Sequence, residues 1–333
     1  MSLTRIIVEK AGPLTTIQER GRTGYMRFGV PHSGPIDRLA FAAANAGIGN
    51  KEGAALIEVS LGGISLVCAE GSVGFCVCGG DFTAEVEGSP LGSWATGILH
   101  AGMRLRIKEG ALGNWAYLAF GGDLLAPSWL GSRATHLLAG LGGGRVGTGR
   151  EIIVEAAPLP KEAHALPKPE LRPIEDAMIV MGPQDRYFPE TARSAVTGSP
   201  FTASAKFDRM GRVMEGQPLV PERLDIASEP AVRGSLQIDG EGRLTILLAD
   251  HQTIGGYPKI ATVVGSDVDR IAQLPTGAAL RFHPVPVEEA TARWRNHAEA
   301  ARRYLADAAT GWRPFGERLM ASNLIDGVVD ASR

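Results

Sequence analysis

Ala249-Asp250-His251-Gln252-Thr253-Ile254-Gly255-Gly256-Tyr257-Pro258-Lys259-Ile260-Ala261-Thr262-Val263 is the stretch on which the fold turns. It links two short aliphatic runs, residues 244–249 and 259–264, which are bounded by turn formers and predict buried strands. The loop between them is longer and more polar than the two turn residues of a plain hairpin. Gly255-Gly256 permits either a close backbone approach or a positive φ. Pro258 fixes the exit and keeps Tyr257 out of the helical region. The expected product is a rigid shelf presenting Gln252, Thr253, Tyr257 and Lys259 from one place. A long hairpin whose polar residues only face water fits the same spacing.

The rest of the chain sets this shelf in a β-rich protein. Its 333 residues suffice for a sizeable core in one or two domains. With 43 glycines and 21 prolines, short strands joined by tight turns are favoured. A formal net charge of −2 without a basic run argues against nucleic acid. No apolar stretch reaches the ~18 residues of a membrane span, and the N-terminus reads as a first strand rather than a signal peptide. A cytoplasmic location is the expectation. Cys76 and Cys78 leave one strand on the same face and, with Cys68, predict buried reduced thiols. The spacing suits neither a zinc nor a redox pair, and the scattered histidines predict no metal site.

In chain order, a strand over residues 5–9 leads into a Gly- and Arg-rich stretch containing Gln18, Arg20 and Arg22. Next comes Gly29-Val30-Pro31-His32-Ser33-Gly34-Pro35-Ile36-Asp37. Ser33 is placed to cap a helix over 36–46, and Asp37 suits its first turn. A serine beside helix amides would also seat an anion, with Arg20 or Arg22 in reach. Strands are expected at 56–60, 64–68, 73–78, 84–86, 103–107 and 115–120. Gly142-Gly143-Gly144-Arg145-Val146-Gly147 matches G-x-G-x-x-G, but it precedes a strand at 151–155, whereas the dinucleotide fingerprint opens a helix. No G-x-x-x-x-G-K-[ST] phosphate loop occurs.

Proline-rich composition marks a linker at 158–175, between an N-terminal β lobe (1–157) and a C-terminal β lobe (176–285). A strand at 177–181 and a helix over 186–196 open the second lobe. Asp208-Arg209 reads either as a surface turn or as a pocket pair, with Arg209 forking onto a substrate carboxylate. An amphipathic helix (286–310) carries Ala290, Trp294, Ala298, Ala301 and Leu305 on one face. A loosely ordered tail (311–333) is expected after it.

Six ordered motifs carry a resemblance: Gln18…Gly21-Arg22, the Gly29–Asp37 stretch, Leu130-Gly131-Ser132-Arg133-Ala134-Thr135, Asp208-Arg209-Met210-Gly211, Gly234-Ser235-Leu236-Gln237, and the shelf itself. Together they resemble the KipA family, the 5-oxoprolinase C subunits. These carboxyltransferase-type proteins are related to part of urea carboxylase and were formerly labelled allophanate hydrolase subunit 2. The resemblance implies a mainly β protein of cyclophilin-like barrel architecture, in two packed lobes with a few short helices. It also implies a KipI-like B subunit, a larger oxoprolinase A subunit, and ATP used by the complex to open 5-oxoproline to glutamate. On this resemblance Lys259, Asp208 and Gln252 are the expected catalytic residues. Ser33, Gly34, Arg22, Arg209, Gln237, Thr253, Gly255, Gly256 and Tyr257 would bind the small amide substrate.

Glu19, Ile36, Val213, His251 and Ile254 depart from the family pattern. His251 stands where arginine is frequent, a loss that Arg212 would offset if it reached the same place. Carboxyl transfer from carboxybiotin, with biotin supplied by another protein, is the alternative chemistry; non-enzymatic sequestration of a KipI-like partner is a third. If the motifs form one site, the 29–37 and 208–211 turns and the shelf must converge on a cleft between the lobes.

Overall fold

Thr4, Ile6 and Val8 are buried along Ser2–Ala11 while the residues between them face outward, the period-two signature of a half-buried strand. In the computed structural model, which describes residues 2–160, 162–224 and 226–310, this strand is the third of a seven-stranded sheet. The order is Gly122–Leu125, Glu151–Ala156, Ser2–Ala11, Ile64–Glu70, Arg104–Lys108, Thr83–Val86 and Ser89–Gly92. A five-stranded sheet lies against it: Thr16–Gln18, Leu56–Ser60, Trp115–Phe120, Ser72–Cys78 and Ala95–His100.

Every residue of Leu56–Ser60 and Trp115–Phe120 is buried, because this sheet is covered on both sides. Ile57, Val59, Ala116 and Leu118 pack with Ile6, Val8 and Leu66 of the larger sheet. Leu56, Trp115 and Tyr117 turn the other way, into a core shared with the second lobe. Glu58 lies on this second face too.

The second lobe is a closed seven-stranded barrel. Asp176–Met181, Lys259–Val263, Ser235–Ile238, Leu244–Leu247, Gly211–Glu215, Phe201–Phe207 and Ala279–Pro284 follow one another, and the last pairs in parallel with the first. The mainly β, two-lobed barrel architecture expected from the sequence is therefore present. The shelf is not a hairpin, however. Ser235–Ile238 inserts between its two flanking strands and pairs with both. Local spacing could not reveal this, because the intervening strand comes from earlier in the chain.

Four helices occur among the described residues: α1 (Arg38–Gly47), α2 (Glu190–Gly198), α3 (Gly265–Ala272) and α4 (Val287–Thr310). Asp37, not Ser33, is the N-cap of α1; its carboxylate accepts from Ala40 N–H at 3.0 Å. The helix expected over 186–196 is split by Pro189 into a short 3-10 turn, Asp185–Tyr187, and α2. A proline at the N-cap starts a helix more readily than it continues one. The polar α3 was not anticipated.

Helix α4 packs on α1 and α3. Tyr304 ties it to the linker by donating to Pro167 O at 2.7 Å, and to the first lobe through an edge contact with Trp94. The expected tail, 311–333, lies outside the described residues. Cys68, Cys76 and Cys78 are free and buried, with the last two Sγ atoms 3.8 Å apart on one strand face. No helix among the described residues is long and apolar enough to cross a membrane.

Candidate functional site

The shelf starts where Leu244–Leu247 ends and Asp250 N–H bonds to Arg209 O at 2.8 Å, fastening the 208–211 turn beneath it. Ile254–Gly255 then pairs with Glu229–Pro230 as a two-stranded ribbon over the barrel wall. Ala231 N–H donates to Thr253 O at 3.0 Å, and Thr253 is buried. Gln252 Nε2 donates to Gln237 Oε1 at 2.8 Å. Neither shelf glycine has a positive φ. Gly255 serves close approach instead: a Cβ there would lie 3.2 Å from Gln237 Nε2 and 3.3 Å from Gln252 Nε2.

Two clefts flank the shelf, and adjacent residues divide between them. One, of about 290 Å³, is lined by Asp208, Gly211, Gln237, Thr245 and Gln252. The other, of about 250 Å³, is lined by Arg20, His32, Ser33, Arg38, Arg233 and His251. The 29–37 turn, the 208–211 turn and the shelf thus meet around His251-Gln252, as distinct sub-sites on its two sides. Burial lowers the pKa of His251, against the raising effect of its Nδ1 contact (2.7 Å) with Gln252 O. Asp208 is exposed, and its Oδ1 accepts from Met210 and Gly211 N–H at 2.7 and 3.1 Å. Tyr257 is half exposed at the rim. Ser33 is buried with a φ of 56°, and its Oγ has no hydrogen-bond partner among the described residues. A left-handed serine is a strained conformation of the kind that concentrates at functional sites.

Lys259 is 1 % exposed, and its Nζ has no hydrogen-bond partner among the described residues. Burial pushes its pKa down, partly opposed by the carboxylate of Glu229. Its backbone is clasped by Gln184, whose Oε1 accepts from Lys259 N–H at 2.9 Å and whose N–H donates to Lys259 O at 3.2 Å. Gln184 was missed in the sequence; it stands in a turn that gives no periodic signal.

Two expected substrate-binding arginines are committed elsewhere. Arg209 donates through Nε and Nη2 to Asp250, both at 3.0 Å, through Nη2 to Gly34 O at 2.6 Å, and through Nη1 to Glu58. Arg209, Glu58 and Asp250 are each at most 1 % exposed. The guanidinium therefore bolts the lobes together and is not free to fork onto a substrate. Glu58 turns inward because strand alternation places it on the barrel-facing side beside Tyr117, whose hydroxyl donates to it at 2.9 Å. Arg22 bonds to Trp129 O and Ala134 O at 3.4 and 2.5 Å, and stacks on the Trp129 ring. Gly34, rather than offering its backbone to a ligand, gives its carbonyl to Arg209 and takes a φ of 86°. Arg212 bonds to Leu274 O at 2.9 Å and stacks on Phe207, so it does not stand in at His251.

Comparison with known proteins places this geometry. A family model for the carboxyltransferase domain, subdomains A and B, matches residues 28–284. The 5-oxoprolinase C subunit of Haemophilus influenzae is 34 % identical over 83 % of this chain and 89 % of its own length. A putative urea carboxylase of Emericella nidulans is 29 % identical over 92 % of this chain, which spans 26 % of that protein. The crystal structure of TTHA0988 superposes with a TM-score of 0.75 at 29 % identity, covering 84 % of this chain and 56 % of that one. Carrying those motifs on this barrel, the chain belongs to the carboxyltransferase-domain family that includes the 5-oxoprolinase C subunits.

Proposed function

We propose that this chain is the C subunit of a heteromeric, ATP-dependent 5-oxoprolinase, acting with a KipI-like B subunit and a larger A subunit. The observation that carries the reading is the similarity to a 5-oxoprolinase C subunit along nearly the whole of both chains. Geometry supports it. Opening a ring amide needs donors where negative charge develops on oxygen. The Gly256 amide is the group assigned to that task, while the Lys259 ammonium offsets the negative charge of the substrate. Gln252, held by Gln237, orients the amide, and Asp208 at the neighbouring cleft takes or returns a proton. The sequence carries no phosphate loop, so ATP is assigned to the assembled complex. The chain alone is expected to release no glutamate from 5-oxoproline and ATP; co-purified with both partners it should. Release by the single chain, or none from the complete complex, overturns the reading.

The match to a carboxyltransferase domain and to urea carboxylase favours one second reading, transfer of a carboxyl group from carboxybiotin to a urea- or amide-like acceptor. Biotin would then come from another protein. Bicarbonate-dependent carboxylation by a complex that releases no glutamate would select it.

A further inference from the structure

Three buried donors around the shelf have no acceptor among the described residues: Lys259 Nζ, Gln184 Nε2 and Gln237 Nε2. Their residues are 1 %, 0 % and 7 % exposed. The three residues are neighbours where Lys259–Val263 begins. Gln184 clasps Lys259 from both its N–H and C=O sides. Gln237 lies directly opposite Lys259 across the strand pair, which puts the two side chains on one face. The carbonyl oxygens of the amides are already used, Gln184 Oε1 by Lys259 N–H and Gln237 Oε1 by Gln252 Nε2. What remains is an ammonium and two NH₂ groups. Leaving a buried donor unpaired costs on the order of 1–3 kcal/mol, and more when it is charged. Three together, beside the cleft that Gln237 lines, mark a site that a ligand's acceptors complete.

We propose that Lys259, Gln184 and Gln237 form a hole for one monoanionic carboxylate and that it seats the carboxylate of the small substrate; this second clause rests on the reading above. The donor set selects the ligand. A carboxylate offers two oxygens with about four lone-pair sites, and has nothing to donate. One ammonium balances one negative charge, while Glu229 adds negative potential that disfavours a dianion such as phosphate. Gly255 keeps the rim open, since a side chain there would press on the free Gln237 amide.

The test is thermal unfolding of the full chain in about 50 mM acetate against chloride at equal ionic strength, where a site with millimolar affinity raises Tm by roughly 2 °C. Parallel samples contain 5-oxoproline, 2-pyrrolidinone (the same ring without the carboxylate) and inorganic phosphate. Acetate and 5-oxoproline should raise Tm; 2-pyrrolidinone and phosphate should not. Gln184→Glu keeps the acceptor for Lys259 N–H and supplies its own carboxylate to Nζ. It should melt higher than wild type without ligand and lose the acetate response, and Lys259→Met should lose that response too. No acetate effect on wild type, an undiminished response in Gln184→Glu, or a phosphate effect exceeding that of acetate overturns the hole. A response to acetate without one to 5-oxoproline upholds the hole and overturns the 5-oxoproline reading instead.

Discussion

Arg209→Met separates a structural arginine from a substrate-binding one. The guanidinium makes two bonds to Asp250, one to Gly34 O and one to Glu58, all in a region at most 1 % exposed. Methionine keeps much of the volume and strands two buried carboxylates. Breaking a buried pair by removing one partner costs about 3–5 kcal/mol. Residual support places the loss near the lower end: Glu58 retains Ile36 N–H and the Tyr117 hydroxyl at 2.8 and 2.9 Å, and Asp250 retains Leu137 N–H at 3.2 Å. Against a total stability of about 5–15 kcal/mol, this is a large fraction. Urea unfolding followed by tryptophan fluorescence should show it as a midpoint lowered by about 1 M if m is about 3 kcal/mol/M. Arg209→Lys, which keeps the charge but not the fork, should fall between. A loss below about 1 kcal/mol, with substrate binding abolished, would refute the lobe-bolting role and restore Arg209 to the substrate.

Lys259→Ala should cost the assembled complex at least roughly tenfold in rate, about 1.4 kcal/mol, without lowering Tm, since an unpartnered ammonium is removed from a buried place; a variant that melts early yet keeps its rate would make Lys259 structural. Burial, then the neighbouring charge of Asp269, raises the Asp37 pKa from the ordinary 3.8 to about 6. The folded state therefore holds this proton longer than the unfolded one, and its contribution to stability falls as pH rises from about 4 to 6. Asp37→Asn keeps a good N-cap and should flatten that decline, gaining about 1–3 kcal/mol at pH 7 relative to pH 4; an unchanged pH profile of unfolding would contradict it. Gly34→Ala should destabilise by about 1–3 kcal/mol, because φ is 86° and the added Cβ would meet Arg20 O at 2.7 Å; an unshifted urea midpoint would show that the turn relaxes.

The sequence made the strands of both lobes legible wherever burial alternates or fills a short run, as in Trp115–Phe120 and Lys259–Val263. Pairing was not legible: nothing local says that Ser235–Ile238 divides the strands flanking the shelf. The shelf was visible through its glycines and polar residues, and one of them, Gln252, is held by Gln237. Charge alone misled at Arg22 and Arg209, since an arginine reads alike in sequence whether it faces solvent, substrate or the protein interior. The partners that settle it, Glu58 and Asp250, stand far from Arg209 in the chain. Gln184 escaped notice for the opposite reason: a neutral amide in a turn carries no charge or periodic signal, and only its bonds to Lys259 reveal it.

The most direct test is a crystal structure of the chain with 5-oxoproline bound. The ring is predicted to lie on the shelf beside Gln252 and the Asp208–Gly211 turn, with its carboxylate within hydrogen-bond reach of Lys259 Nζ and the free amides of Gln184 and Gln237. A molecule bound away from the shelf, or on it with its carboxylate in solvent and Lys259 Nζ still unpartnered, would contradict the assignment of this site.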